Sequence, residues 1–296
     1  MLKNNKKRDP ITMFDCVNVV IMLVIMLVTL YPFLYVLFVS LSDPMLFMEN
    51  GGAPLVRPLG FTFESYRAVF QNNMIVRGMS NSFIILVLYI IISMSLTSVG
   101  AYFLSRKDVL LKKPIFIMIV ITMYFNGGLI PTFLAVKGYG LYNSIWAVIL
   151  TGAISTYNLI VLKTGFESLP GELEESAKID GAGHLTILFR IVLPLSMACI
   201  AVMILYYAVA QWNSWFNANI YLTTRTKYPL QLILREILIS NDTASMRSGG
   251  DVSDQMAIGE TIKYAVIVVA TVPILCVYPF LQKYFVKGVM VGAVKG

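Results

Sequence analysis

"LEESAKIDGAGHLTILFRIVLPLS", residues 173–196, decides how the rest of the chain is read. Glu167, Glu172, Glu174, Glu175, Lys178 and Asp180 fall within fourteen positions, and after Pro194 the chain returns to nearly unbroken hydrocarbon. Pro170-Gly171 interrupts any helix arriving from upstream. The three acids that follow favour the positive end of a short helix, predicted over Glu172–Asp180. Asp180-Gly181 is a stop signal, because Gly181 can take the left-handed conformation that ends helices. Leu185–Leu193 reads as a second short helix with Leu185, Leu188 and Phe189 on one face, and Pro194 marks the start of the next apolar run. A polar, glycine-hinged helix–turn–helix between apolar runs needs a reason.

The apolar runs set its surroundings. The chain has 296 residues, 57% hydrophobic and 13% charged, against about 25% charged in an ordinary soluble domain. Six runs meet or approach the ~20 apolar residues of a helical bilayer crossing: Val17–Ser40, Ser82–Leu104, Pro114–Leu134, Ser144–Leu162, Leu195–Trp212 and Tyr264–Leu281. None of them contains Asp, Glu, Lys, Arg or His. A barrel would alternate polar and apolar residues, so the expectation is an all-α polytopic membrane protein with six transmembrane helices. The first run follows "KNNKKR" but is 24 residues long and lacks a small-x-small cleavage site, so it reads as a retained span. Cys16, Cys199 and Cys276 lie in or beside apolar runs without metal-ligand spacing, and they read as small hydrophobes.

Orientation follows from basic residues. Residues 1–16, 105–113, 163–194 and 282–296 hold 14 Lys/Arg in 72 positions, and 41–81, 135–143 and 213–263 hold 9 in 101. The denser set is expected in the cytoplasm, which puts both termini inside and the quoted segment in a cytoplasmic loop between spans four and five. The net charge of +7 reflects this topology, and no nucleic-acid partner is inferred. The expected organisation is a cytoplasmic tail over 1–16, a transmembrane domain over 17–282 with its loop at 165–194, and a cytoplasmic tail over 283–296.

The loop also carries a spaced motif. Glu175-Ser176-Ala177 is followed by Gly181, Ile191, Leu193 and Pro194, which matches Glu-Ala-Ala, three residues, Gly, nine residues, Ile, one residue, Leu-Pro. Ser176 for Ala is the single departure, small for small. This is the signature of ABC importer membrane subunits, and the chain resembles the type I ABC importer permeases of the carbohydrate branch, with a permease core over about 76–282. "FTFESYRAVF" (61–70) and "AQWNSWFNANIYL" (210–222) look like elements of that branch, and "QKYFVKGVMVGAVKG" (282–296) is similar to the tail of the maltose importer's second permease. "FNGGLIPTFLAV" (125–136) and "YPLQLILREILI" (228–239) resemble the permeases importing oligosaccharides of the complex-polysaccharide or aldouronate type. The resemblance implies that the loop is a coupling helix seated on the ATP-hydrolysing subunit. It implies as partners a second homologous permease, a dimer of ATP-binding subunits holding ATP and Mg, an extracellular solute-binding protein and an oligosaccharide. It implies a bacterial cell membrane location.

No Gly-x4-Gly-Lys-[Ser/Thr] phosphate loop is present, so no cofactor is expected on this chain and no catalytic or metal-binding residue is assigned. "RSGGD" (247–251) only faintly echoes an ATPase signature, and His184, the single histidine, reads as a solvated loop residue. Groups suited to sugar hydroxyls and ring faces cluster in the outer halves of the spans. They are Tyr124 and Asn126 in span three, Tyr157 in span four, and Trp212, Asn213, Trp215 and Asn217 leaving span five. Lipid anchoring is the competing reading for the tryptophans. Asn213 and Asn217, four apart, are expected on one helical face. Asn126-Gly127-Gly128 and Pro131 interrupt span three, and a broken helix at membrane depth favours a cavity-lining role. Gly288 and Gly292 form a GxxxG outside any span, a poor dimerisation motif. The outer segment 213–263 is long enough for a cap or docking surface.

Three other classes compete. An ion-coupled secondary transporter would place acids or His within spans, and none is there. A membrane enzyme would need a nucleophile–base pair or metal ligands at membrane depth. A scaffold subunit without a path would not need the break in span three.

Overall fold

The computed structural model describes residues 12–53, 55–240 and 258–276, and all regular structure among them is helical. The expectations for KNNKKR, RSGGD, the GxxxG glycines, the C-terminal tail and the outer segment over 241–257 lie outside the described residues. Two compact units are separated after Gln71 and again within the last helix at Val268.

In the first unit, helix α1 (Met13–Ser40) opens on a capping box between Thr12 and Asp15. Its side chains from Met13 to Phe33 are exposed all round, the pattern of a helix whose solvent is lipid or a partner. Its end packs with α2 (Pro44–Glu49) around Val39, Phe47 and Leu55. The Tyr264 ring meets Tyr35 and Phe47 edge-on at 6.0 Å. A third helix, α3 (Glu64–Gln71), is tied in where Ser65 Oγ donates to Thr261 Oγ1 at 2.9 Å.

The second unit is organised by α4 (Asn73–Ser105), which buries a polar row including Ser82, Ser93 and Thr97 together with Tyr89. The row works as a set of fasteners. Ser82 Oγ accepts from Leu230 N at 2.8 Å, and Thr97 Oγ1 and the Tyr207 hydroxyl share a bond of 2.7 Å. The chain continues through α5 (Lys112–Tyr124), α6 (Leu129–Gly138), α7 (Ile145–Leu150), α8 (Thr156–Glu167) and α9 (Glu172–Ile179). Then come α10 (His184–Leu195), α11 (Met197–Trp212), α12 (Phe216–Tyr221) and α13 (Leu230–Ser240), before α14 (Ile258–Cys276).

Among the described residues, α1, α4 and α14 are long and apolar enough to cross a membrane. The bent pairs α5–α6, at 115°, and α10–α11, at 86°, raise the number to five if each is one span. The break in the third run falls at the expected Asn126-Gly127-Gly128. The fourth run, expected as one helix over Ser144–Leu162, is instead two helices separated at 151–155. Gly152 turns the chain at φ +93° and the Ser155 side chain caps α8, so helix geometry cannot pass through. The exposed backbone groups are met from elsewhere: Tyr89 OH donates to Gly152 O at 3.0 Å, Asn217 Nδ2 to Thr151 O at 3.3 Å, and Ser155 N to Tyr207 OH at 3.1 Å. A broken helix survives at membrane depth only with such partners.

Pro194 stands two residues before the bend that leads into α11. It sits inside α10, where Leu188–Val192 widen into a π-type turn with Leu193 N bonded to Leu188 O. The bend comes after Leu195, at Ser196. Proline has no N–H for the helical ladder, and a widened turn is a common accommodation.

Candidate functional site

The segment 165–196 folds as two short helices about Gly181. The first, α9, spans Glu172–Ile179 with Glu172, Glu174 and Glu175 in its first turn, and Gly181 has φ +81°. Ala177 is buried among Tyr102, Leu162, Phe166, Ile187 and Leu188, so α9 is stapled to α4 and α8 by one small side chain. Ile191 and Leu193 pack against the same cluster, whereas Glu175, Ser176, Gly181 and Pro194 are exposed. The seven motif residues thus divide into a packing set and a presented set. Leu185, Leu188 and Phe189 do not share a face: Leu188 is buried with Ile187, while Leu185 and Phe189 stay outside. With Ile179 they leave an apolar edge beside the acidic turn.

The loop is held by charge as well. Arg106 pairs with Glu174, and Lys178 Nζ lies 3.3 Å from both Glu174 Oε1 and Asp108 Oδ2. Glu167, at the end of α8, takes Lys163 at 2.7 Å and Lys112 at 3.4 Å. The Arg106 guanidinium lies 4.6 Å over the Tyr102 ring and donates to Ser105 Oγ. These groups edge a cleft of about 470 Å³. Burial raises the Glu167 carboxyl, but the Lys163 hydrogen bond and charge, with Lys112, outweigh it and the net shift is downward. Asp108 is lowered by its own backbone N–H first and Lys178 second. Sequence reading missed this network; its only trace is the basic-acidic complement between 105–113 and 167–178. Glu175 forms no ion pair among the described residues. His184 opens α10 exposed, 3.5 Å from the Tyr102 hydroxyl.

The sugar-path candidates are not gathered into one place. Tyr124 is exposed beside the break in the third run, and Asn126 Oδ1 accepts locally from Gly128 N at 2.8 Å. Both are exposed on the surface of this chain. Trp212 is buried, its Nε1 donating to Ala270 O at 3.1 Å and its ring 5.3 Å from Phe83. Within this chain its ring is packed and its N–H is committed. Asn213 and Asn217 do not share a helical face: α11 ends at Trp212, Asn213 caps it by donating to Val209 O, and Asn217 belongs to α12. Trp215 is half-buried under the Arg235 guanidinium at 4.3 Å. Tyr157 opens onto a cleft with Tyr206, Asn158 and Tyr89, none of which the sequence reading singled out.

Comparison with known proteins shows the family of the chain. Residues 109–291 match the family described as "Binding-protein-dependent transport system inner membrane component". The chain is 42% identical over 289 residues to the polygalacturonan/rhamnogalacturonan transport system permease protein YtcP of Bacillus subtilis (strain 168), covering 96% of this chain and 99% of that one. It is 39% identical over 283 residues to Protein LplC of the same organism, covering 96% and 95%. A crystal structure of a bacterial ABC transporter involved in the import of the acidic polysaccharide alginate contains a chain that superposes with a TM-score of 0.84 at 28% identity. The match covers 93% of this chain and 99% of that one.

Proposed function

We propose a function from one premise: the chain belongs to the family of binding-protein-dependent transport system inner membrane components. It is a membrane-embedded permease subunit of an ABC importer and not an enzyme. The ion-coupled carrier and scaffold readings fall with that membership.

In the full reading the chain crosses a bacterial cell membrane six times, with α7 and α8 together forming a fourth, broken span and both termini in the cytoplasm. The distribution of Lys and Arg supports this orientation. So does the pairing of Lys112 with Glu167, which keeps the loops at 105–113 and 165–196 on one side. Helix α9 is the coupling helix, received by one of two ATP-binding subunits that hold ATP and Mg. A second homologous permease completes the path, and an extracellular solute-binding protein delivers the solute. The solute is an oligosaccharide. The relatives named for polygalacturonan and for alginate favour a fragment of an acidic polysaccharide.

One observation carries the reading: an ion-pinned helix presents Glu175, Ser176 and Gly181 outward beside exposed Ile179, Leu185 and Phe189. Such an edge, acidic and apolar together, suits a protein groove rather than water. The test is reconstitution. Proteoliposomes holding this chain alone should take up no trigalacturonate under ATP or an ion gradient. The four-component complex should take it up only with ATP inside and binding protein outside. Uptake by the chain alone would overturn the reading.

A further inference from the structure

We propose that the cleft beside the broken fourth run is a sugar subsite carried by this subunit. It takes one pyranose unit of the passing oligosaccharide against the rings of Tyr157 and Tyr206 and the side-chain amide of Asn158. The proposal rests on the oligosaccharide-permease reading above.

The cleft measures about 500 Å³, within the ~300–1,000 Å³ of small-molecule sites. Its aromatic wall comes from two elements. Tyr157, in the first turn of α8, is 56% exposed and Tyr206 of α11 is 39% exposed, with ring centroids 6.4 Å apart and planes 37° from parallel. The polar groups around them are mostly committed. Tyr89 OH serves Gly152 O, Tyr207 OH is shared between Thr97 and Ser155 N, and Ser155 Oγ accepts from Asn158 N at 3.3 Å.

The Asn158 side chain is the exception. The residue is only 5% exposed, it lines the cleft, and its amide has no hydrogen-bond partner among the described residues. The amide atoms are not among the fully enclosed unpaired polar atoms, so they open onto the cleft, where they offer a ligand two N–H donors and one acceptor. A pyranose supplies what is missing: hydroxyls round its rim for the amide, and C–H faces to lie on tyrosine rings. An acyl chain would fill the same space and leave the amide unpaired in hydrocarbon, which membrane proteins avoid.

The experiment uses the assembled importer in vesicles, with trigalacturonate as probe. Wild-type complex takes the sugar up with ATP; if it does not, the substrate reading itself has failed and the subsite falls with it. Given wild-type uptake, Asn158→Leu keeps the branched shape without the amide's donors and acceptor, and in vesicles matched for assembled complex uptake falls ~10-fold. Unchanged uptake in Asn158→Leu overturns the subsite alone. A second arm places Tyr157→Cys in a background of Cys16→Ala, Cys199→Ala and Cys276→Ala. A charged, membrane-impermeant thiosulfonate should label it, and trigalacturonate should protect it. Labelling only by a lipid-soluble maleimide would put the cleft against acyl chains, and labelling without protection would leave it water-filled but empty of sugar. Either result overturns the proposal.

Discussion

The chain turns at Gly181 and at Gly152 with nearly the same backbone, φ +81° and +93°, yet the two turns are held by opposite chemistry. Around Gly181 the fasteners are ions: Arg106 on Glu174, Lys178 on Glu174 and Asp108, and two lysines on Glu167. Around Gly152 they are neutral: two tyrosine hydroxyls and one asparagine amide on the opened backbone. The surrounding medium explains the difference. Where water reaches, charges keep much of their hydration and pairing them is inexpensive. In the six-span organisation proposed above, the Gly152 turn lies at hydrocarbon depth, where a charge costs about 2.5–3.5 kcal/mol on insertion scales, so hydroxyls and amides must do the work.

The largest effect should come from cutting the ionic turn at its most buried pair. Arg106 and Glu174 side chains are 10% and 15% exposed, and removing one partner of a buried pair costs about 3–5 kcal/mol. Arg106→Ala should therefore free the 170–183 segment for protease nicking in purified complex while the spans remain inserted. Unaltered protection would mean that Ala177 packing alone holds α9. A smaller loss is expected from the neutral turn. Tyr207→Phe leaves Ser155 N and Thr97 without their partner, about 1–3 kcal/mol. It should appear as a lower thermal midpoint in detergent with no change on adding salt. Salt sensitivity there would erase the contrast between the two turns.

The smallest effects belong to the exposed ions. Glu167 keeps Lys163 when Lys112 is removed, so Lys112→Ala should cost no more than about 1 kcal/mol. Acid should act on the same side only. Asp108 and Glu167 have carboxyls lowered in the folded chain. The stability they add is present above the usual carboxylate range and is lost as pH falls through their lowered values. Proteolysis of the 170–183 segment should be flat from about pH 6 to 8 and should rise only below about pH 4. A rise near neutrality would assign the tether to other groups.

Legibility in the sequence followed the range of the interactions. The short helix over Glu172–Ile179 and its stop at Gly181 rest on adjacent residues, and so does the break at Asn126-Gly127-Gly128; both were readable. The break at 151–155 was not, because a single Gly152 between apolar stretches is outweighed by composition, and what stabilises it arrives from Tyr89, Tyr207 and Asn217. Asn213 and Asn217 were assigned one face because spacing assumes a continuous helix, and no glycine or proline announces the end of α11. The inward face of α10 was ambiguous for a related reason: the segment is apolar on more than one side, and only tertiary packing sends Ile187 and Leu188 in while Leu185 and Phe189 stay out. The ion network needed the fold to bring 105–113 beside 167–178.

The coupling role of the exposed ridge is tested most directly by ATPase retention on affinity-purified Gly181→Val complex, followed by solute-stimulated ATP hydrolysis. A Cβ at Gly181 meets nothing within 4 Å inside the chain. Its cost is therefore the backbone strain of a left-handed residue, about 1–2 kcal/mol, and the obstruction of a surface approaching from outside. The account predicts that Gly181→Val inserts at wild-type level and either loses the ATP-binding subunits or hydrolyses ATP without regard to solute. Wild-type retention with wild-type stimulation would contradict it and leave α9 a plain connector.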